Sequence, residues 1–314
     1  MTPADSASNP GGMFYAVLDD PVYFMEGSDA LDLLQRISTN DVKPVVSGIS
    51  VATILTNEKG RIVDVVYVCS QSEKGRLILA GQRKSANDVQ RWVERFIIME
   101  DAKISIASGD WLQVRCWSQS PGSESWKYPD IRIPKSVAVV NESHWMNESV
   151  RLLMPKDMLG SFEELIASVG GKAVEELAYE RSRILAGIPS VGRDISEETH
   201  PMEARLVDMI SFTKGCYVGQ EVVARLDTYR KVQRVLVRTS GKGRAPSTPA
   251  ASVGGDGSDA GILTSAVDCS DGTWRGLAFI RVQFLAPSAA PVQVDGETVT
   301  ILDREPEHGV YPQQ

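Results

Sequence analysis

The segment Ser211–Arg225 holds the residues best suited to chemistry, because it places a cysteine among glycines, a lysine and a glutamate. The run Val218–Leu226 has apolar residues at helical spacing, so Cys216 is expected near a helix N-terminus, beside Lys214. Both features favour the thiolate over the thiol, which makes Cys216 the best candidate for a reactive cysteine. A cysteine taken in isolation is more often a small buried residue, and the residue pattern leaves both interpretations open.

Two glycines, Gly215 and Gly219, bracket the turn that precedes this predicted helix. Glycine permits dihedral angles or close contacts that a Cβ atom would block. Tyr217 is expected to pack beneath the loop, with its hydroxyl group at the edge. The segment therefore predicts a turn that opens the helix.

The eight residues Lys214–Glu221 read K-G-C-Y-V-G-Q-E, which resembles the K-G-C-Y-x-G-Q-E signature of the YgfZ family. This family comprises folate-binding proteins that are related to the glycine-cleavage T-protein and tied to iron–sulfur cluster assembly or repair. The resemblance implies that Cys216 is a functional thiol, with Lys214 beside it. Two roles stay open for Cys216: a nucleophile or redox thiol, or one transient ligand of an iron–sulfur species that a partner completes.

The resemblance covers most of the chain. It includes segments similar to those of YgfZ and T-protein sequences: Gly27–Ala30, Ile37–Val42, Asn57–Asp64, Arg183–Pro189, His200–Leu206 and Gly261–Ala266. The implied fold class is α+β, with two α+β lobes and a C-terminal antiparallel β-barrel arranged around a central folate channel. The expected boundaries are 13–230 for the two lobes and 231–305 for the barrel.

The chain also departs from the T-protein pattern. Asp64 matches the first aspartate of a pair that is central to aminomethyl transfer, but Val65 replaces the second. Leu185 replaces a glutamate of the expected folate pocket. T-proteins also start with a D-x-S-H-M type segment, and nothing between Leu18 and Met25 matches it. The resemblance therefore implies tetrahydrofolate binding in support of iron–sulfur proteins. A folate-dependent aminomethyltransferase or demethylase is the alternative.

Candidate ligand contacts follow from the same resemblance. A buried carboxylate can accept two N–H bonds of a reduced pterin, and Glu203 is expected to be this carboxylate. On residue types alone, Glu203 could equally cap the segment that begins near Pro201. Asp64 is either a pocket carboxylate or the solvent-facing member of an alternating strand. Further expected folate contacts are Tyr217, Gln220, Arg225 and Lys231.

Composition limits the function further. The net charge of −8 and a pI near 5.1 argue against nucleic-acid binding. No apolar run approaches the roughly 20 residues needed to span a bilayer, and the polar N-terminus lacks a signal core, so a cytoplasmic protein is expected. The four cysteines and three histidines are scattered, so no stable metal site is expected. The expected partners are folate and iron–sulfur client or assembly proteins, and the chain is expected to be a monomer.

Hydrophobic periodicity predicts the elements that position these residues. Ser28 is a suitable N-cap for a helix that ends near Ile37, and Ser85–Met99 has the pattern of an amphipathic helix. Short β runs after Arg230 predict the barrel. Within it, the Gly-, Ser- and Ala-rich stretch Gly241–Gly261 is expected to form a long loop.

Overall fold

The computed structural model describes residues 13–118, 137–141, 149–229, 232–286 and 288–303. Within these residues the chain forms three β-sheets, and five α-helices accompany them. The helices are α1 (Ala30–Ile37), α2 (Ala86–Glu94), α3 (Leu159–Ser168), α4 (Glu176–Ala186) and α5 (Gln220–Tyr229). The strands are β1 (Met13–Leu18), β2 (Val22–Glu26), β3 (Val51–Thr56), β4 (Ile62–Gln71), β5 (Arg76–Ala80), β6 (Lys103–Ile106), β7 (Trp111–Ser118), β8 (Ala138–Asn141), β9 (Ser149–Pro155), β10 (Lys172–Ala173), β11 (Arg234–Lys242), β12 (Ala250–Gly254), β13 (Asp259–Asp268), β14 (Thr273–Arg281), β15 (Val292–Val294) and β16 (Glu297–Ile301).

The first lobe is an antiparallel sheet with the strand order β3-β4-β5-β2-β6. One face packs against α1 and α2, where Leu34, Val93, Val66 and Val68 share one apolar cluster. Val65 points the other way and belongs to the largest cluster, which also contains the barrel interior. Both faces of the sheet are therefore buried, which explains why β3 reads as a continuous β-rich run without a polar alternation.

The second lobe is a sheet with the order β10-β1-β7-β9-β8, in which β10 runs parallel to β1 and the other pairs are antiparallel. Helix α3 covers it through Phe162 and Ile166. Helix α4 lies beside β7, where the rings of Tyr179 and Trp117 are 5.8 Å apart. Arg115 of β7 and Arg151 of β9 occupy directly opposite positions in this sheet, and both are buried.

The third unit is a closed antiparallel barrel with the order β11-β14-β13-β12-β15-β16. The α+β fold class with a C-terminal barrel is thereby confirmed. The expected long loop Gly241–Gly261 is wrong, because β12 lies within it and pairs with both β13 and β15. Two neighbouring strands satisfy its backbone, so β12 forms although its composition resembles that of a loop.

The helix boundaries differ from the sequence expectations at two places. Ser28 is not the N-cap of α1, because its backbone N–H and its hydroxyl group both donate to Asp101 Oδ2, at 2.9 and 2.8 Å. Helix α2 ends at Glu94 instead of continuing to Met99. At Ser28 a tertiary contact thus overrides local capping. Within the described residues, no helix is both long and apolar enough to cross a membrane.

A buried polar network joins α4 to the barrel. Arg183 Nη1 donates to Asp194 Oδ2 at 2.8 Å, and both side chains are almost completely buried. Arg183 Nη2 donates to Ser265 Oγ of β13 at 3.0 Å, and Ser265 Oγ donates in turn to Asp194 Oδ1 at 2.7 Å. Glu180 also accepts from the guanidinium group, at 2.7 to 3.0 Å. This charge-assisted network fixes α4 and the loop after it against the barrel.

Candidate functional site

The predicted reactive cysteine lies on the surface. Cys216 is exposed, in a loop that leads into the first residue of α5, Gln220. The other three cysteines are less accessible: Cys69 and Cys116 are buried, and Cys269 is partly exposed. Burial raises the pKa of the Cys69 thiol to about 12, which makes that thiol a poor nucleophile. Exposure therefore favours Cys216 as the cysteine that can meet another molecule.

Lys214 anchors the loop that carries Cys216. Its Nζ donates to the backbone carbonyls of Gln35, Ser38 and Asn40, at 2.7, 2.8 and 2.6 Å. These carbonyls belong to the C-terminal end of α1 and the residues after it, where helix carbonyls lack partners within the helix. Burial lowers the pKa of this ammonium group to about 8. The structure thus places all three N–H groups of Lys214 on the backbone, and an influence on the Cys216 thiol stays a prediction.

Backbone contacts hold the other end of the loop against the β3–β4 turn. Gly219 has a φ of +81°. A Cβ atom there would lie 2.9 Å from Gly60 Cα and would collide with the carbonyl oxygen of Asn57. Thr56 Oγ1 donates to the Val218 carbonyl at 2.6 Å in the same contact. Gly219 is therefore required by the turn, whereas Gly215 has open space around it.

Replacing Gly219 by alanine should destabilise this loop. The added Cβ meets backbone atoms that cannot rotate away, and the left-handed conformation adds strain, so we expect a loss of at least about 1–3 kcal/mol in unfolding free energy. Urea denaturation measures it. The matched control is Gly215→Ala, whose Cβ meets nothing within 4 Å and which should change stability by less than about 0.5 kcal/mol. Equal effects of the two substitutions would contradict this account of the loop.

Asp64 is completely buried, so the alternative of a solvent-facing strand residue is wrong. Its carboxylate accepts backbone N–H bonds from Val65 at 2.8 Å, from Gln82 at 3.2 Å and from Arg83 at 3.0 Å. Burial raises the pKa of Asp64 to about 7, although these hydrogen bonds act in the opposite direction. The carboxyl group therefore changes its charge near neutral pH.

Glu203 lines a cavity of about 600 Å³ between α5 and the barrel, which we name the barrel-side cavity. Its Oε2 accepts the His200 backbone N–H at 3.2 Å, which agrees with the capping alternative. Arg234 donates to both carboxylate oxygens of Glu203 at 3.3 Å. The acid thus faces a cavity of ligand size but is already engaged by a guanidinium group.

A second cavity, of about 280 Å³, lies where the two lobes meet α4, and we name it the interlobe cavity. Its wall contains Asp20, which follows β1, together with Arg151, Gln82 and Tyr179. Asp20 Oδ2 is 3.7 Å from Arg151 Nη1, so an acceptor and a donor lie side by side in the wall. Burial raises the pKa of Asp20 against the attraction of Arg151. Sequence reasoning missed Asp20; the available signal was an Asp-Asp-Pro turn directly after an apolar strand.

The remaining predicted contacts are dispersed. Tyr217 is buried beneath the loop, as expected, and burial raises its pKa to about 12. Arg225 is exposed on α5, and Gln220 is half-buried at the start of that helix. Neither residue lines the two cavities. Lys231 lies outside the described residues. Their roles toward folate therefore stay predictions.

Comparison with known proteins relates the chain to two groups. It is 23% identical over 242 residues to an aminomethyltransferase of Chlorobium chlorochromatii, covering 71% of this chain and 66% of that protein. It is 26% identical over 235 residues to a mitochondrial homologue of an iron–sulfur cluster assembly factor from Mycosarcoma maydis, covering 69% and 54%. A chloroplastic protein of Arabidopsis thaliana named as a transferase is 35% identical over 151 residues, covering 48% and 32%. The matches thus span from one third to about two thirds of these relatives' own lengths.

A solved structure supports the fold independently. The glycine cleavage system aminomethyltransferase T of Bartonella henselae has a TM-score of 0.77, covering 93% of this chain and 85% of that one at 15% identity. At this identity, the likeness concerns the fold alone. No protein-family model matches the chain.

Proposed function

We propose that this chain, which is similar to aminomethyltransferases and to a homologue of an iron–sulfur cluster assembly factor, binds a reduced folate and supports iron–sulfur cluster assembly or repair. The observation that carries the proposal is the anchored loop that exposes Cys216 while Cys69 and Cys116 are buried. A thiolate is a soft ligand that suits iron–sulfur species. A single cysteine is too few ligands for a stable cluster, so contact with a client or assembly protein is part of the proposal.

The donor set of the interlobe cavity fits a reduced pterin. A pterin presents a row of N–H donors next to a carbonyl acceptor, and Asp20 beside Arg151 is the complementary pair. The volume of about 280 Å³ is close to the lower limit of ligand sites, which suits the bicyclic head group rather than the whole of folate. Asp20 would accept from the ring, Arg151 would donate to it, and Tyr179 would exclude water from one side.

Tetrahydrofolate would serve here as cofactor or effector and would supply its N–H-rich, electron-rich pterin. The protein's own contribution is to orient that ring. Arg151 is held in place for this task, because its Nη1 donates to Gln113 Oε1 at 2.5 Å and its guanidinium group lies 4.5 Å from the centre of the Tyr67 ring. A donor whose position is fixed in advance loses little freedom on binding.

Glu203 offers the second possible pterin acid, in the barrel-side cavity. Two substitutions separate the sites: Asp20→Asn in the interlobe cavity and Glu203→Gln in the barrel-side cavity. We expect Asp20→Asn to weaken tetrahydrofolate binding about ten- to a hundredfold, because a charged hydrogen bond is lost, while Glu203→Gln changes it little. Anaerobic titration calorimetry measures both. The reverse pattern would move the pterin to Glu203, and the absence of binding to the unsubstituted protein would contradict folate binding.

Aminomethyl transfer is the second candidate function, and the likeness to aminomethyltransferases favours it. Against it stands Val65, which occupies the position of the second aspartate of the expected pair.

The expected cytoplasmic location stays part of the proposal. Two of the relatives carry organelle names, chloroplastic and mitochondrial.

A further inference from the structure

We propose that Asp64 is a positioning residue, which shapes the wall of the interlobe cavity by accepting its backbone N–H groups and does not itself touch the ligand. The inference rests on the proposed function, because it assigns a role at the same cavity. It concerns the segment Gly81–Lys84, which follows β5. Gln82 and Lys84 from this segment line the cavity.

The hydrogen bonds define this role. Asp64 Oδ1 accepts from the backbone N–H groups of Gln82 and Arg83, at 3.2 and 3.0 Å, and also from Val65. Oδ2 lies 3.3 Å from the Gln82 nitrogen. One carboxylate thus holds two successive residues of the wall. Without this acceptor, their backbone N–H groups would lack a hydrogen-bond partner.

The position of the side chain separates it from the cavity. Asp64 alternates with Val65 along β4 and shares its side of the sheet with Val66 and Val68, which pack in the cluster around α1 and α2. The backbone of Gly81 covers the carboxylate so closely that a Cβ there would lie 2.6 Å from Asp64 Oδ2. The acid is therefore behind the wall.

Ionisation controls how well Asp64 can act as an acceptor. The three N–H bonds favour the carboxylate, but burial favours the protonated form more strongly and raises the pKa of Asp64. The titratable groups that act on it are Asp20 after β1 and Tyr23 of β2, and Tyr23 in turn faces Arg83 of the wall and Asp88 of α2. Arg83 is held elsewhere, since its guanidinium group bonds to Glu197 and to the Val63 carbonyl. Because the pKa of Asp64 in the closed wall, about 7, lies above that of an exposed aspartate, the closed wall binds a proton that an opened wall releases, so the wall should be held more firmly as the pH falls from 8 to 6.

The first test needs no ligand. Hydrogen exchange of the Gln82 and Arg83 amides, corrected for the intrinsic pH dependence, reports whether Asp64 holds them. We expect protection to increase by roughly tenfold from pH 8 to pH 6 in the unsubstituted protein, because the closed wall keeps a proton that the opened wall loses. Asp64→Asn keeps an amide oxygen as acceptor and should show protection that does not change with pH. Asp64→Ala should lose it at every pH. Unchanged protection in Asp64→Ala overturns the proposal.

The second test measures tetrahydrofolate affinity in the same variants. We expect Asp64→Asn to bind at pH 8 within about threefold of the unsubstituted protein and to lose the pH dependence, while Asp64→Ala binds at least about tenfold more weakly. If asparagine is as damaging as alanine at pH 8, the carboxylate itself contacts the ligand, and the positioning role is wrong. Repeating the exchange experiment in Asp20→Asn separates the titration of Asp20, whose pKa is also raised. If neither the unsubstituted protein nor its Asp64 variants bind folate, the proposed function is contradicted, and the exchange experiment alone decides the role of Asp64.

Discussion

Cells that carry Cys216→Ser in place of the unsubstituted protein should lose iron–sulfur enzyme activity to the level of a strain that lacks the protein, most clearly under oxidative stress. Serine keeps the size and exposure of the side chain but removes the soft thiolate, so a ligand or nucleophile role cannot survive the change. The measurement is the activity of an iron–sulfur dehydratase in cell extracts, normalised to the amount of its polypeptide.

The barrel provides the matched control for this experiment. Cys269 is partly exposed and precedes β14, so Cys269→Ser removes a second accessible thiol without changing the loop of Cys216. Its cells should keep full activity. Normal cluster enzymes in Cys216→Ser cells would count against the proposed function. Robust methylene transfer by the purified protein to a lipoyl carrier protein would favour the aminomethyltransferase alternative instead.

The largest loss of stability is expected from the buried network between α4 and the barrel. Arg183→Met removes the cation and leaves Asp194, whose side chain is completely buried, without its main partner. Breaking a buried ion pair from one side typically costs about 3–5 kcal/mol, and we expect an effect of that size. Urea denaturation at pH 7 gives the difference in unfolding free energy.

An exposed arginine of the same region is the control for this prediction. Arg193 pairs with Glu176 and Glu180 but is half exposed, and solvent screens such pairs, so Arg193→Met should cost less than about 1 kcal/mol. The double variant Arg183→Met with Asp194→Asn should lose less than the sum of the two single changes, because the second change relieves the uncompensated carboxylate. Additive losses would show that the two side chains do not act as a pair.

The sequence predicted the fold more completely than the site. Periodic apolar residues indicated α1 and α2, and short β runs indicated the barrel, because burial on a regular surface leaves a local pattern. β12 has no such pattern, since its Ala, Ser and Gly residues form a strand only when β13 and β15 are present on both sides. The missed element thus depends on partners that lie elsewhere in the chain.

The site was harder to predict, for the same reason. The motif indicated that Cys216 and Gly219 belong to a turn before a helix. The carbonyl groups that Lys214 contacts are distant in sequence, and no pattern near Lys214 predicts them. An acid in a strand usually faces solvent, but Asp64 is buried because both faces of its sheet are covered. Asp20 acquires its neighbour Arg151 only when β1 and β9 join one sheet.

The contact between Gly219 and the β3–β4 turn also imposes an order on folding. The turn at Asn57–Gly60 leaves the ribosome long before the loop that carries Cys216, and main-chain atoms of Asn57, Gly60 and Gly219 make the contact between them. A contact of such sequence separation forms late, because the intervening chain must first be brought together. During synthesis, the first lobe must therefore form before the loop that carries Cys216 can pack against it. A nascent chain stalled before α5 would not yet hold Cys216 in its native position.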